Sequence, residues 1–326
     1  MQRRRVGSSG LEVSRIGLGT MTWGADTDLE AATAQLTAFV DAGGSLVETA
    51  DGYGDGAAQE VLAKVLATSV PREYVVLAAR ATKPGGPLGD ASARGALLTA
   101  LDATLRRLGT DHLDLWQLPG FDATVPLEET LSAVQVAVMS GRVRYGGLVA
   151  PLGWQLATVA ERGRALGSIA VPVSAQVEYS LLARGAEVEL LPAARHHGVG
   201  LLAWAPLGRG VLTGKYADGT PADSRAASPA LAPYVEARRN ERSARIVQAV
   251  LTAADGLGTS PLAVALAWVR DRPGVASAIV GARDAAQLSA SMATETVTLP
   301  AEIRAALDDV SGPAADLALD PRVRLG

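Results

Sequence analysis

The sequence predicts an α/β fold of the (β/α)8 TIM-barrel type, built as one domain over residues 1–326. Short apolar runs alternate eight times with longer amphipathic stretches, which is the pattern of parallel strands joined by helices. The length of 326 residues is normal for one barrel with short additions. No domain linker or low-complexity tract interrupts the alternation. Because crossover connections are right-handed, consecutive strand–helix units of this kind close into a barrel.

The predicted barrel strands are short apolar runs, most of them bounded by Gly, Pro or Asp. Continuous apolar runs are typical of strands that are buried on both faces. In chain order the predicted strands are 15–21, 45–50, 74–80, 113–118, 143–149, 173–179, 199–205 and 276–281.

The helices predicted between these strands have apolar residues at helical spacing. In the third helix Leu97, Leu101 and Leu105 lie on one face, and Gly109 follows as a stop signal. In chain order the predicted helices are 29–42, 57–69, 93–108, 127–139, 154–166, 186–197 and 285–294.

Three additions fall outside the alternation. Residues 4–6 and 11–13 flank a Gly-Ser-Ser-Gly turn and predict an N-terminal β-hairpin that plugs the bottom of the barrel. Two consecutive helical patterns, 240–254 and 262–271, precede the last strand, so one helix is extra. Residues 300–310 predict a C-terminal helix with a proline in its first turn.

Composition limits the functional classes. Apolar residues make up 48% and aromatic residues only 4%, so Ala, Val and Leu must fill the core. The net charge of −4 argues against nucleic acid or a membrane surface as the main partner. The absence of cysteine excludes disulfides and thiolate metal sites, and no metal site is predicted. With no signal peptide or long apolar span in view, we expect a soluble cytoplasmic protein with a small-molecule substrate and leave its oligomeric state open.

The chemistry of a barrel lies at the carboxyl ends of its strands. Glu48 lies at that end of the second predicted strand, and Tyr53 lies in the loop just beyond it. A phenol in this place is a candidate proton donor. The alternative is a strand-to-helix turn with a tyrosine that only packs. Residues 217–236, rich in Gly, Pro and Ser, predict a long loop that covers the mouth.

The string from Glu48 to Gly54 resembles a known catalytic signature. It reads Glu-Thr-Ala-Asp-Gly-Tyr-Gly and is similar to the Asp-Thr-Ala-x-x-Tyr-Gly signature of the aldo-keto reductases, with Glu48 in the place of the aspartate. The resemblance extends from residue 6 to about residue 298. It implies that Tyr53 delivers a proton to the substrate and that Glu48 orients a basic partner of Tyr53.

The basic partner of Tyr53 can be placed in two ways. The family has Ala-Thr-Lys at the end of the third strand, and its lysine lowers the pKa of the tyrosine. An ungapped count places Arg80 there, whereas matching the letters places Lys83 there and needs an insertion of about three residues. We favour Arg80, because it keeps the side-chain alternation of the strand and Lys83 precedes Pro84. The alternative for Arg80 is a purely structural ion pair with Glu48.

The chain departs from the family at other polar positions. Pro119 stands where the family has a histidine that polarises the substrate carbonyl. Val149 and Ala150 stand where Ser and Asn hold the nicotinamide carboxamide, and Ser291 replaces an asparagine beside the adenine. The resemblance therefore implies a reacting end with fewer hydrogen-bond donors.

Other segments resemble the family's NADP(H) site. Gln176 is expected to hold the carboxamide, and Trp204 is expected to stack on the nicotinamide ring. Arg283 is expected to bind the 2′-phosphate, Gln287 to lie near the adenine, and Trp23 to face the substrate. The remaining candidates, expected near ribose or phosphate, are Gly19, Thr20, Pro206, Leu207, Gly208, Gly210, Leu212, Gly214, Lys215 and Gly281.

Three functions remain in competition. The first is an NADP(H)-dependent oxidoreductase that reduces a carbonyl or imine and is weak on ordinary aldehydes. The second is a non-catalytic barrel that binds NADP(H) and acts by sensing or partner binding, since the cofactor's tail pocket matches the family better than the reacting end does. The third is a cofactor-free lyase or isomerase that uses Glu48 and Tyr53.

Overall fold

Eight parallel strands close into a barrel whose order around the ring is the order of the chain. The computed structural model describes residues 1–81, 92–119, 121–167, 169, 171–217, 219–222, 224–228 and 231–312. An antiparallel hairpin of β1 and β2 precedes the ring, and β10 pairs with β3 to close it. The strands are β1 (Arg3–Arg5), β2 (Glu12–Ser14), β3 (Ile16–Gly19), β4 (Leu46–Ala50), β5 (Val76–Arg80), β6 (Leu113–Leu118), β7 (Val143–Val149), β8 (Ser174–Glu178), β9 (Gly200–Trp204) and β10 (Val275–Val280).

The helices pack around the outside of the ring. Those that follow the barrel strands are α1 (Leu29–Asp41), α2 (Ala57–Thr68), α3 (Arg94–Leu108), α4 (Leu127–Met139), α5 (Gly153–Ala165), α6 (Leu190–His197) and α10 (Ala285–Ala293). The additional helices are α7 (Ala232–Glu236), α8 (Glu241–Gly256), α9 (Pro261–Arg270) and α11 (Ala301–Ser311).

The predicted fold class is confirmed, together with the hairpin, the extra helix before the last strand and the C-terminal helix. Predicted boundaries differ from the observed ones by at most two residues, except at the sixth helix. That helix begins at Leu190 because Gly185–Glu187 form a separate 3₁₀ turn, and Pro192 fits only the first turn of a helix. The predicted long loop 217–236 was wrong in part, since it contains a 3₁₀ turn at Arg225–Ala227 and helix α7.

Two apolar cores divide the molecule. The larger core lies between the ring and the helices and contains the indoles of Trp116 and Trp268. The smaller core fills the lower part of the barrel lumen, where hairpin residues Val6, Leu11 and Val13 pack against inward-facing strand residues. The hairpin thus seals one end of the barrel with apolar side chains, and the polar groups of the lumen lie toward the other end.

Three arginines anchor the hairpin end of the barrel to a single carboxylate. Arg4, Arg15 and Arg270 approach Asp271 at 3.1, 3.4 and 2.5 Å. Burial alone would raise the pKa of the Asp271 carboxyl, but the hydrogen bond and charge of Arg270, with Arg15 and Arg4, hold that pKa below its usual value. Arg15 also pairs with Glu295 at 2.8 Å, which ties the start of the barrel to the 3₁₀ turn that follows α10.

No single described helix is long and apolar enough to cross a membrane. Helices α8 and α9 satisfy the length and composition criteria only as a pair, with a bend of 103° between them.

We predict that Gly7→Ala destabilises the fold by about 1–3 kcal/mol. Gly7 has a φ of +60°, and a Cβ there would lie 2.1 Å from the carbonyl oxygen of Gly198 and 2.7 Å from the backbone nitrogen of Gly200. Both contacts are with backbone, which cannot move aside as a side chain can. Urea unfolding followed by circular dichroism measures the change.

Gly10→Ala is the matched control in the same turn. Its φ is not in the left-handed region, and a Cβ would meet only the Tyr145 hydroxyl, at 3.5 Å. Equal stability losses in the two variants would show that the close approach of Gly7 to the barrel does not constrain the hairpin.

Candidate active site

A cavity of about 610 Å³ opens at the carboxyl ends of the barrel strands. Ligand sites in proteins commonly have this size and place. Many of the residues proposed from sequence line it: Gly19, Glu48, Tyr53, Arg80, Trp204, Pro206, Leu207, Gly210, Lys215, Gly281, Arg283 and Gln287.

Tyr53, Glu48 and Arg80 form one hydrogen-bonded group at the inner end of this cavity. The Tyr53 hydroxyl donates toward both carboxylate oxygens of Glu48, at 3.1 and 3.2 Å. Arg80 Nη2 donates to the same hydroxyl oxygen at 2.9 Å, and Arg80 Nε lies 3.1 Å from Glu48 Oε1. The Tyr53 hydroxyl therefore donates its hydrogen bond to the anionic Glu48. Its oxygen also accepts a hydrogen bond from the cationic Arg80, which can stabilise negative charge there.

Local backbone geometry brings these three side chains together. Glu48 lies on β4 and Arg80 ends β5, and the two strands are paired in parallel register. Tyr53 begins a 3₁₀ turn after β4 in which Gly54, Asp55 and Gly56 all have positive φ. This turn folds the phenol back over the end of β4 before α2 begins. The sequence alternative in which Tyr53 only packs does not describe its contacts with Glu48 and Arg80.

The pKa of Tyr53 is raised well above its ordinary value of 10. Burial is the largest cause and the negative charge of Glu48 is the next, while the charge of Arg80 acts in the opposite direction. The expectation that Arg80 lowers this pKa is confirmed in direction, but burial and Glu48 outweigh Arg80 in the net shift. Tyr53 therefore keeps its proton at physiological pH, which is the state a proton donor requires.

The two candidates for the basic partner of Tyr53 have different outcomes. Arg80 lies in contact with Tyr53, with its guanidinium carbon 5.1 Å from the ring centroid. Lys83 falls in residues 82–91, outside the described part of the chain.

Three residues proposed to contact the cofactor or the substrate do not line the cavity. Gln176 is buried in the barrel lumen, where its Nε2 donates to Glu48 Oε1 at 3.0 Å. Thr20 is fully buried, and its backbone nitrogen donates to the carbonyl of Glu48 at 3.0 Å. The prediction that Trp23 faces the substrate was wrong, because its indole is fully buried against α1 and donates to Gln35 at 3.2 Å.

Three of the positions that depart from the family, Pro119, Val149 and Ala150, do not line the cavity, whereas Ser291 does. Pro119 lines a separate small apolar hollow with Leu118, Phe121 and other side chains of the β6 and β7 ends. Ala150 is exposed and has a φ of +46°, a conformation that alanine rarely adopts. Neither of these residues, nor Val149, is among the cavity's lining residues.

The loop after β9 wraps one side of the cavity. Gly210 lines it with a φ of +93°, and a Cβ there would lie 3.2 Å from Lys215 Cε. Three other candidates in the loop lie behind this surface. A Cβ on Gly208 would strike Leu182, one on Gly214 would strike Leu251, and Leu212 is fully buried. These three residues shape the loop without lining the cavity.

The outer end of the cavity lies at the start of α10. Gly281, Arg283, Gln287 and Ser291 line it. The Asp284 side chain caps the helix by accepting from the Gln287 nitrogen at 2.8 Å. The exposed backbone amides at a helix start favour an anion, and Arg283 adds a guanidinium in the same place.

Sequence reasoning missed a cluster that holds α7 beside the cavity. Arg209 donates to both oxygens of Glu178, at 3.1 and 2.8 Å, and lies 3.8 Å over the ring of Tyr234 on α7. Arg238, just beyond α7, pairs with the same Glu178 at 2.8 Å. Arg209 and Tyr234 both line the cavity. The residues concerned are up to 60 positions apart in the chain, so no local pattern could have paired them.

Other lining residues were also missed. They are mostly small or apolar and carry no chemical signal in the sequence. They are Met21, Ala205, Thr213, Pro221, Leu262, Ile279, Val280 and Ala290.

Backbone strain is concentrated around this mouth. Within the described residues, four non-glycine residues have positive φ: Asp55, Ala150, Ala205 and Arg209. Each follows a barrel strand or lies in the loop after it, and Ala205 and Arg209 line the cavity. Strain of this kind collects at functional sites, where the surrounding structure holds it in place.

Comparisons with known proteins agree with this geometry. The sequence profile of the Aldo/keto reductase family matches residues 15–311. The chain is 35% identical over 331 residues to the uncharacterized oxidoreductase YrpG of Bacillus subtilis (strain 168), covering 97% of this chain and 98% of that protein. It is 34% identical over 300 residues to a probable voltage-gated potassium channel subunit beta of Oryza sativa subsp. japonica, covering 90% of each. It is 32% identical over 326 residues to the L-glyceraldehyde 3-phosphate reductase of Escherichia coli O157:H7, covering 94% of this chain and 92% of that protein.

We predict that Glu48→Gln lowers the pKa of Tyr53 relative to the unaltered protein. The substitution removes the negative charge that opposes ionisation of the phenol and leaves Arg80 in place. The chain has six tyrosines, so tyrosine labelled with an NMR-active carbon at the hydroxyl-bearing ring position gives a spectrum simple enough to titrate. Loss of one resonance in Tyr53→Phe assigns the signal. A Tyr53 signal that titrates at the same or higher pH in Glu48→Gln would contradict the charge argument.

Proposed function

The chain belongs to the aldo/keto reductase family, and we propose that it transfers hydride from NADPH to a carbonyl or imine carbon of a small molecule. Two of the relatives described above are named as an oxidoreductase and a reductase, and the family typically uses nicotinamide cofactors. The choice of NADPH and the class of substrate are proposed from the cavity. The observation that carries the proposal is the protonated Tyr53 at the inner end of the cavity, in contact with Arg80 and Glu48.

The cavity fits a dinucleotide in its shape and its charges. Its lining comes from Tyr53 in the loop after β4, from the loop after β9 and from the start of α10. A long ligand can therefore lie across the barrel mouth. Lys215 and Arg283 supply positive charge for phosphate groups. Trp204 lines the same cavity, where an indole can stack on a flat ring of a bound ligand.

The proton-transfer step uses groups that are already in contact. When bound, the nicotinamide supplies the hydride for the substrate carbon. The O–H bond of Tyr53 breaks as a new bond forms between that proton and the substrate oxygen or nitrogen. The electron pair stays on the Tyr53 oxygen, where Arg80 Nη2 lies 2.9 Å away. Arg80 thus stabilises the phenolate at the moment when it forms.

The proposed substrate class follows from the absence of a hydrogen-bond donor at position 119, where the family has a histidine. Pro119 has no side-chain donor and lies in a separate hollow, so it cannot polarise a carbonyl oxygen in the cavity. One lost donor typically lowers a rate by about 10²–10³. We therefore expect weak turnover of simple aldehydes and better turnover of substrates that are already polarised, such as ring imines. The Escherichia coli relative is named an L-glyceraldehyde 3-phosphate reductase, which supports the carbonyl class for this chain.

The contacts among Tyr53, Arg80 and Glu48 favour this function over a non-catalytic barrel. They hold the proton donor, Tyr53, in contact with the cation that stabilises its phenolate, Arg80, at the edge of the cavity. The cation-lined outer end of the cavity argues equally against a cofactor-free lyase or isomerase.

We predict that Tyr53→Phe abolishes turnover, with a loss of at least about 10²–10⁴ in kcat. The substitution removes one hydroxyl and keeps the ring, so NADPH affinity should be unchanged. Turnover is followed by NADPH absorbance on a panel of imines and carbonyls, and affinity by calorimetry. Tyr74→Phe, at an exposed tyrosine, is the control. Unchanged turnover in Tyr53→Phe would remove Tyr53 from the mechanism.

We predict that Arg283→Ala weakens NADPH binding by about 10- to 100-fold and leaves NADH binding nearly unchanged. NADH lacks the 2′-phosphate that a guanidinium at the start of α10 would hold. Calorimetric titration of both cofactors measures the difference, with Arg195→Ala at an exposed arginine as the control. Equal affinity of the unaltered protein for both cofactors would refute the choice of NADPH.

A further inference from the structure

We propose that Gln176 is a positioning residue that fixes the Glu48 carboxylate beneath Tyr53, and that it does not hold the cofactor's carboxamide. This inference rests on the reductase function proposed above and assigns Gln117 and Gly147 a part in the same site. It depends on a row of buried polar groups that crosses the upper lumen of the barrel.

The row joins opposite sides of the ring. Strands β4 and β8 are four places apart in a ring of eight, so Glu48 and Gln176 face each other across the lumen. Gln176 Nε2 donates to Glu48 Oε1 at 3.0 Å, and Gln176 Oε1 accepts from Gln117 Nε2. Gln117 Oε1 in turn accepts from the Ser174 hydroxyl at 3.3 Å. All four side chains are almost completely buried.

A glycine makes this arrangement possible. Gln117 lies on β6 and Ser174 on β8, and Gly147 of β7 is in register between them. A Cβ on Gly147 would lie 2.1 Å from the Ser174 hydroxyl and 3.3 Å from Gln117 Oε1. The Cβ of any other residue at position 147 would therefore clash with the side chains of Ser174 and Gln117, which contact each other there.

The amide of Gln176 is occupied at both ends. Its NH₂ group donates to the Glu48 carboxylate, which can only accept. Its oxygen accepts from the NH₂ group of Gln117. These partners leave one orientation for the amide. Turning it toward a ligand in the cavity would break both of these bonds and leave the buried Glu48 carboxylate with Tyr53 and Arg80, and the loss of one donor to a buried charge is costly. Gln176 also does not line the cavity.

The length of the residue at position 48 explains the difference from the family pattern. A glutamate is one methylene longer than an aspartate, and here its carboxylate contacts Tyr53 and Gln176 at the same time. Both contacts involve Oε1, which Arg80 Nε also approaches at 3.1 Å. Removal of the Gln176 amide would free this oxygen to rotate and would loosen the Tyr53 hydroxyl that donates to it. Misplacement of a reacting group by about 1 Å can cost about 10² in rate.

Gln176→Met separates the two roles, because it keeps the side-chain length and removes the amide. If Gln176 positions Glu48, kcat at saturating NADPH falls by about 10- to 100-fold while the Kd of NADPH stays within about twofold. The labelled-ring NMR signal of Tyr53 also shifts, since the hydrogen bond from its hydroxyl to Glu48 changes. Gln35→Met, at a buried glutamine outside the barrel lumen, should leave that signal in place.

A rise of about tenfold or more in the Kd of NADPH, with the Tyr53 signal unmoved, would assign Gln176 to the cofactor and overturn the proposal. Gln117→Met provides a second variant if Gln176→Met does not fold. It removes the donor to Gln176 Oε1 and should shift the Tyr53 signal in the same direction by a smaller amount. An unmoved Tyr53 signal in this variant also counts against the proposal. The NMR measurement needs neither substrate nor turnover, so its result stands even if the protein proves to have no reductase activity.

Discussion

The buried carboxylate of Glu48 is the group on which the reacting end of this barrel depends. A charged group in a barrel lumen is stable only when cations and hydrogen-bond donors surround it. Glu48 meets that requirement with Tyr53 from its own loop, Arg80 from the next strand and Gln176 from the opposite wall. The same contacts set the direction of the Tyr53 hydroxyl and keep its proton in place. Stability and chemistry are therefore produced by one set of hydrogen bonds.

The barrel separates an apolar end from a polar end, and this separation keeps the charged group in place. The hairpin fills the lower lumen with the apolar side chains of Val6, Leu11 and Val13. Above this layer, the buried amides form a single connected row from β4 to β6. A polar network of this kind fixes one arrangement of side chains where an apolar layer would permit several. The cavity begins directly above it.

The fold could be predicted almost completely from the sequence, because strand and helix periods and Gly and Pro signals are local. The candidate site could be predicted only in part. Residues carried by a contiguous motif, such as Tyr53 and the cavity-lining part of loop 204–215, were found. The contact of Arg209, in that same loop, with Tyr234 exists only in the folded chain. Trp23 was misplaced because a tryptophan after a strand can face a ligand or the core, and its partner on α1 decides which. The net pKa shift of Tyr53 could not be predicted, because burial, its largest cause, has no signature in the sequence.

Gln176 contacts a carboxylate that is one methylene longer than an aspartate, and this contact affects how the site could be altered by substitution. Gly147, Gln117 and Gln176 are fitted to a carboxylate that reaches to mid-lumen. Shortening that carboxylate alone would remove a partner of the Gln176 amide, and enlarging the glycine alone would place atoms inside the row. Substitutions at these positions are therefore expected to be coupled rather than additive, as is usual for residues of one hydrogen-bond network. The outer wall of the cavity, which lies outside this network, is the part of the site that can be altered one residue at a time.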